Sequence, residues 1–323
     1  MENKIIEDTK NTVVCGDSLT ILKTFPDESV DCVVTSPPYW ALRDYGVPGQ
    51  LGLEPTFQEY INRLCDIFDE IKRVLKKEGT CFINIGDTYM GNSSYSEKGR
   101  QGLGNDKVGM INKKQWLDPK YPHKEKLRAR EHIISCQISE KSLCQIPSRF
   151  AIEMSNRGWI LRNTIIWHKS NCMPSSVKDR FTVDFEKVFF FVKNKKYFFK
   201  QQLEKTLTKN TLVRNRDLTK LNNTPGRTRM NGLKVNNYDF KNKRCVWTIP
   251  TRPFKEAHFA TYPEKLIEPM IDAGCPIGGV ILDPFFGAGT TGLVARKQNK
   301  NYIGIELNPT YIKIAEERLK NIN

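Results

Sequence analysis

A chain of 323 residues with 51 Lys and Arg against 36 Asp and Glu, a net charge of +15, is long enough for one large α/β domain carrying an insertion. Its nine cysteines contain no Cys-x-x-Cys pair and its four histidines stand at no ligand spacing from two of them, which argues against a disulfide scaffold or a zinc site and for reduced thiols. The first residues lack the basic end and apolar core of a signal peptide, and no apolar run approaches bilayer length, so the expectation is a cytoplasmic protein with no membrane partner.

In chain order, residues 12–15 read as a short strand, and Gly16-Asp17-Ser18 caps a helix through Leu19, Ile21 and Leu22. Residues 30–34, apolar except for Asp31, read as a buried parallel strand that runs into Thr35-Ser36-Pro37-Pro38-Tyr39-Trp40. Apolar residues at helical spacing predict a helix over residues 56–77, ended by Gly79, and residues 81–85 form the next strand. Residues 89–135, rich in Gly, Asn, Ser and Lys, read as a long mobile loop. A helix over residues 147–157 leads into a strand at 159–167, whose antiparallel partner is the strand at 187–193; this pairing puts the loop at 173–180 on the edge that carries Ser36. No long element is predicted over residues 201–244, and residues 246–250 return the chain to the core. An apolar strand then enters Asp283 and the Gly287-Ala288-Gly289 turn, a helix continues through residues 294–297, and residues 302–306 form a strand ending in Glu306. Asn308-Pro309 starts a last helix with Ile312, Ala315 and Leu319 on one face, and there is no internal repeat.

Two of these segments carry chemistry. Consecutive prolines cannot extend a strand, so the chain leaves the sheet at Pro37 and Pro38 in a stiff loop. That loop presents the Ser36 hydroxyl and the Pro37 carbonyl as adjacent acceptors beside the ring of Tyr39 or Trp40. A planar base stacked on the ring would give both amino hydrogens to the acceptors, freeing the nitrogen lone pair for attack without a covalent intermediate. In the second segment, glycines let the backbone approach a nucleotide-like ligand closely and leave a helix N-terminus facing it, and a carboxylate about twenty residues on suits ribose hydroxyls.

Together these motifs make the sequence resemble the S-adenosylmethionine-dependent amino-group DNA methyltransferases of the permuted (beta) class, in which the Pro-Pro-Tyr motif precedes the cofactor motif. The resemblance extends to Cys15-Gly16-Asp17, Leu42-Arg43-Asp44-Tyr45-Gly46, Asn84-Ile85-Gly86-Asp87, Ile165-Ile166-Trp167-His168-Lys169 and the stretch from His258 to Leu266. It implies a Rossmann-like α/β fold: a mostly parallel sheet with one antiparallel strand, helices on both faces, and a basic target-recognition insertion. It divides the chain into a catalytic part at 1–168, a recognition region at 169–250 that includes the core strand 187–193, and a cofactor-binding part at 251–323. S-adenosylmethionine is the implied cofactor, double-stranded DNA the partner, a cognate restriction endonuclease a further one, and monomer and homodimer both stay open. The charge fits: residues 169–255 hold 21 Lys and Arg against 6 Asp and Glu, and the rest of the chain is balanced. Concentrated cations neutralise phosphates.

The resemblance assigns Ser36, Pro37, Pro38 and Tyr39 to catalysis on a flipped base. Phe285, Gly287 and Gly289 line the cofactor, and Glu306 holds its ribose. Asp17 meets the adenine amino group or is only a helix cap; Asp283 braces the glycine turn or meets the methionine amino group. Thr290, Thr291 and His258 are candidates for the methionine end, His258 alternatively being structural. Within the family, Ser before Pro-Pro-Tyr is associated mostly with cytosine N4 and Asp with adenine N6, so Ser36 favours cytosine. A thiol nucleophile is disfavoured, because Pro37 is followed by Pro38 and Tyr39 and neither Cys144 nor Cys172 has the setting. The remaining alternatives are an RNA or protein N-methyltransferase and a DNA-binding regulator on an inactive methyltransferase fold.

Overall fold

The computed structural model describes residues 2–90, 138–205, 239–251 and 262–320. Its contacts divide the chain into one unit of residues 1–200 and 245–323 and a second of residues 201–244. Residues 91–135 of the loop expected at 89–135, and residues 206–238 of the region expected to recognise the target, lie outside the described residues.

The larger unit is built on an eight-stranded sheet. Its strands are β1 (Thr12–Cys15), β2 (Val30–Thr35), β3 (Leu75–Ile85), β4 (Ile160–His168), β5 (Phe185–Val192), β8 (Val246–Thr248), β9 (Val280–Asp283) and β10 (Asn301–Glu306), in the order β1-β10-β9-β2-β3-β5-β4-β8. All neighbours pair in parallel except β5, which is antiparallel to both β3 and β4. The expected antiparallel pair is therefore present, with Ile165 opposite Val188.

Side chains alternate across the sheet as strand geometry requires. Val33, Ile83, Phe191 and Leu282 face the core under α2 (Ser18–Leu22), α3 (Phe57–Val74) and α4 (Ile146–Asn156). Cys32, Val34, Phe82, Phe190 and Ile281 face the opposite core under α5 (Glu264–Gly274), α6 (Thr290–Lys297) and α7 (Pro309–Lys320). A short α1 (Glu2–Thr9) precedes β1. Helices thus cover both faces, and the carboxyl ends of the parallel strands are where open α/β sheets bind their ligands. Among the described residues no helix is long and apolar enough to cross a membrane.

Two sequence expectations change. The predicted helix over 56–77 stops at Val74: Thr56 caps its start, accepting from the Glu59 amide at 3.1 Å, and Leu75 already has extended backbone (φ −69°, ψ 132°) and opens β3. Gly79 lies inside that strand, where a bulge separates the Val30–Leu75 pair from the Cys32–Thr80 pair. A Cβ at Gly79 would stand 2.6 Å from Leu75 and 3.0 Å from the Asp31 carbonyl, so close approach and not helix termination requires the glycine. In α7 the buried face is Tyr311, Ala315 and Leu319, with Ile312 only half-buried.

The second unit contains β6 (Leu203–Lys205) and β7 (Phe240–Asn242), paired antiparallel. Glu204 accepts from Arg244 at 2.8 Å and pairs with Lys241 at 3.4 Å.

Candidate active site

The carboxyl ends of β1, β10, β9, β2 and β3 lie side by side, so the loops that leave them share one edge. β2 sits beside β9 with Val33 opposite Leu282, and the Thr35 hydroxyl donates to Asp283 at 2.6 Å. The Pro-Pro-Tyr loop and the glycine turn, nearly 250 residues apart in sequence, are joined by that hydrogen bond.

The loop after β2 is fixed from both sides. The Tyr60 hydroxyl on α3 donates to the Pro38 carbonyl at 2.8 Å. Trp40 is 2% exposed, its indole N–H donates to the Glu54 carbonyl at 3.0 Å, and its ring meets Phe57 edge-on. Trp40 thus belongs to the core, which leaves Tyr39 as the aromatic beside Ser36. The Tyr39 ring packs over Gly86, where a Cβ would stand only 2.4 Å from the ring. Its hydroxyl donates to Glu186 at 2.8 Å and lies 3.2 Å from the Asn84 side-chain oxygen, Oδ1. Burial, reinforced by the Glu186 carboxylate, raises the Tyr39 phenol well above its ordinary pKa, so it stays protonated. Ser36 is held loosely by comparison, 3.4 Å from the Tyr39 hydroxyl and 3.5 Å from Asn84. The Pro37 carbonyl accepts no hydrogen bond among the described residues.

On the other side of Thr35, Asp283 is 1% exposed and fully engaged. It accepts from Thr35 at 2.6 Å, the Phe285 amide at 3.1 Å, Tyr262 at 3.0 Å and Thr291 at 2.5 Å. Burial lifts its carboxyl above the usual carboxylate range despite those four donors. These bonds tie Asp283, and Thr291 with it, to β2, to Tyr262 and to the start of the glycine turn. Thr290 is buried and accepts from Arg318 at 3.3 Å. Phe285 is half-buried against the core.

Gly287 and Gly289 both have left-handed backbone, φ +51° and +78°. A Cβ on Gly289 would stand 2.9 Å from Ala315, so that glycine lets the turn seat on α7. A Cβ on Gly287 would meet nothing within 4 Å: its α-carbon fronts open space. Glu306 borders that space, accepting the Gly287 amide at 2.7 Å through one oxygen and the Asn308 amide at 2.8 Å through the other. Each oxygen keeps an acceptor site for a ligand hydroxyl. Burial raises the Glu306 carboxyl, opposed by these amides. Asp17 caps α2, accepting from the Thr20 amide at 2.9 Å, and Ser18 ties that turn to the Pro284 carbonyl at 2.5 Å. A donor-rich ligand such as a nucleoside fits this rim of two carboxylates and a bare glycine. His258 lies outside the described residues.

The cluster around the Tyr39 hydroxyl was not readable as such. Asn84 is the penultimate residue of β3 and Glu186 the second of β5; Lys169 follows β4 and pairs closely with Glu186, its ammonium 4.7 Å from the Trp167 ring centre. The available signal for Glu186 is a charge among the first residues of a strand that is apolar from Val188 on. Another unanticipated residue is Tyr262, which donates to Asp283 and closely contacts Thr291.

Residues 30–317 match the N6_N4_Mtase family, described as DNA methylase. The chain is 39% identical over 316 residues to the Type II methyltransferase M.XycI of Xanthomonas campestris pv. cyanopsidis, covering 97% of this chain and 89% of that protein. To the Type II methyltransferase M.Cfr9I of Citrobacter freundii it is 37% identical over 310 residues, 96% and 87% of the two chains. Among solved structures it is similar in fold to the PvuII DNA methyltransferase (cytosine-N4-specific), with a TM-score of 0.60 and 21% identity over 96% of this chain and 87% of that one.

Proposed function

We propose that this chain, which belongs to the N6_N4_Mtase family of DNA methylases, transfers a methyl group from S-adenosylmethionine to the exocyclic N4 amine of a cytosine flipped out of duplex DNA. The observation that carries this reading is the hydrogen bond from Thr35 to Asp283, which sets the Ser36-Pro37-Pro38-Tyr39 loop against the glycine turn. The relatives' designation as Type II methyltransferases supports DNA as substrate and a cognate restriction endonuclease as functional partner, in the cytoplasm.

When bound, the cofactor supplies an activated methyl group. Glu306 would accept its ribose hydroxyls and Asp17 its adenine amino group, with Phe285, Gly287 and Gly289 forming the wall. Asp283, Thr290 and Thr291 hold the turn in shape, and His258 is a candidate for the methionine end. Ser36 Oγ and the Pro37 carbonyl would take the two amino hydrogens of the target base, and the Tyr39 ring stacks against it. Flipping that base costs a few kcal/mol of stacking and pairing, offset by these contacts. Residues 169–250, which concentrate the positive charge, would contact the phosphates and read the sequence.

Cytosine is preferred to adenine because of the neutral hydroxyl of Ser36 where the family's adenine enzymes place a carboxylate. Mass spectrometry of nucleosides from DNA methylated by the protein tests this directly. N4-methylcytosine is expected; N6-methyladenine as the sole product would reverse the base assignment, and no methylated base in any duplex would reject the function.

A further inference from the structure

Methylating an amine leaves one proton too many on its nitrogen, and Ser36, a neutral hydroxyl, cannot keep it. From the hydrogen-bond directions at the site we infer that Ser36, Tyr39 and Glu186 form a relay that carries this proton from the target amine to the Glu186 carboxylate. The inference rests on the function proposed above and names a proton acceptor for it.

The geometry runs one way. Ser36 Oγ donates toward the Tyr39 hydroxyl at 3.4 Å, and the Tyr39 hydroxyl donates to Glu186 Oε2 at 2.8 Å. The first link is long, as catalytic hydrogen bonds often are before substrate closes the site. Tyr39 has a single proton, and of its two acceptors the Glu186 oxygen is both nearer than Asn84 Oδ1 and charged. The other oxygen of Glu186 takes a hydrogen bond from Lys169, and the Glu186 side chain is 16% exposed, so the acceptor is close to solvent. The nearby carboxylate Asp87 accepts the Thr88 and Ile146 amides and shares no hydrogen bond with Ser36 or Tyr39 among the described residues.

The step balances. The amine lone pair forms the new C–N bond as the C–S bond breaks, its electron pair staying on sulfur. The methylated nitrogen then bears a positive charge and two hydrogens. One N–H electron pair returns to nitrogen as its proton passes to Ser36 Oγ, the Ser36 proton passes to Tyr39 Oη, and the Tyr39 proton passes to Glu186, which ends neutral. An alkylated exocyclic nitrogen of this kind is a strong acid, so an ordinary carboxylate suffices as acceptor. Glu186 acts through Tyr39 and is a relay residue, not one that touches the base.

The test uses the full-length protein with cognate duplex in single turnover. Cofactor affinity is measured by calorimetry and base extrusion by the fluorescence of 2-aminopurine at the target. Y39F, E186Q and E186A are expected to keep cofactor binding and extrusion and to slow transfer about a hundredfold, in the usual range for lost general acid–base assistance. The double variant Y39F/E186Q should lose no more than either single change, because one chain is cut twice. Added formate should restore E186A in proportion to its concentration and leave Y39F/E186A slow. Wild-type rates in Y39F or E186Q would overturn the relay while leaving the methyltransferase reading intact. So would additive losses without formate rescue, which would mean that Glu186 only packs Tyr39. Absence of transfer by the wild type on every duplex would overturn both.

Discussion

The contact between Gly86 and the Tyr39 ring offers a sharp perturbation of the site from outside the set of polar groups. In G86A the new Cβ would stand 2.4 Å from Tyr39 Cε2, 2.7 Å from Cδ2 and 3.1 Å from Cζ, where ordinary contact begins at 3.4 Å. The ring must therefore retreat by about 1 Å, a displacement of the size that costs about a hundredfold in rate when it falls on a positioned group. The backbone cannot follow, because Tyr60 holds the Pro38 carbonyl at 2.8 Å and Gly52 is packed against the Tyr39 carbonyl. Overpacking of this kind costs about 1–3 kcal/mol of stability, which leaves a domain of this size folded. The expected result is a lower urea midpoint, unchanged cofactor affinity by calorimetry and a single-turnover rate about a hundredfold down. A G86A protein that transfers methyl groups at the wild-type rate would refute both the close packing and the importance of where Tyr39 sits.

Replacing Glu306 with Gln keeps its shape but removes its charge, and should weaken cofactor binding about tenfold, or ~1.4 kcal/mol by calorimetry; equal affinity would remove Glu306 from the cofactor site. G287A meets no neighbour within 4 Å, so its cost to the cofactor-free protein should be confined to the strain at φ +51°, about 1 kcal/mol, while cofactor binding drops more steeply than in E306Q. Asp283 predicts a pH dependence of stability. Burial raises its folded pKa above the unfolded value of about 3.9, so the folded protein holds the proton more tightly. Its contribution is then constant below about pH 4 and falls as pH rises through the folded pKa. The difference in urea stability between wild type and D283N should shrink over that window, and growth with pH would contradict the assignment. Burial pushes the Cys32 and Cys65 thiols up to about 12, so these two should react with an aromatic disulfide only on unfolding, after the exposed Cys15 and Cys245; prompt modification of Cys32 would place it wrongly.

What could be read in the sequence follows the kind of signal. Period-3.6 burial in α3 and the apolar runs of β2, β5 and β9 depend on neighbours along the chain, and each appears where its pattern lies. The helix α5 was hidden because Pro269 interrupts it, although Leu266, Ile267, Met270 and Ile271 keep the buried helical spacing on either side. Gly79 read as a stop because glycine ends helices often; only the pairing of β2 with β3 reveals that it admits Leu75. Trp40 and Tyr39 are adjacent aromatics, and which one faces the site is decided by Glu54 and Gly86, residues brought up by tertiary folding. The same holds for Asn84 of β3, Glu186 of β5 and Lys169 just after β4, which meet at the Tyr39 hydroxyl or one bond away from it.

The strand order also dictates when the enzyme can come into being. β1 and β2 leave the ribosome first, yet in the finished sheet they are three places apart, and the two places between them belong to β9 and β10. Thr12 waits for Ile303 and Val33 for Leu282, pairings that span most of the polypeptide and form slowly for that reason. A nascent chain therefore carries a gap between its first two strands, and competence to modify a genome arrives all at once, with the insertion of its last two strands.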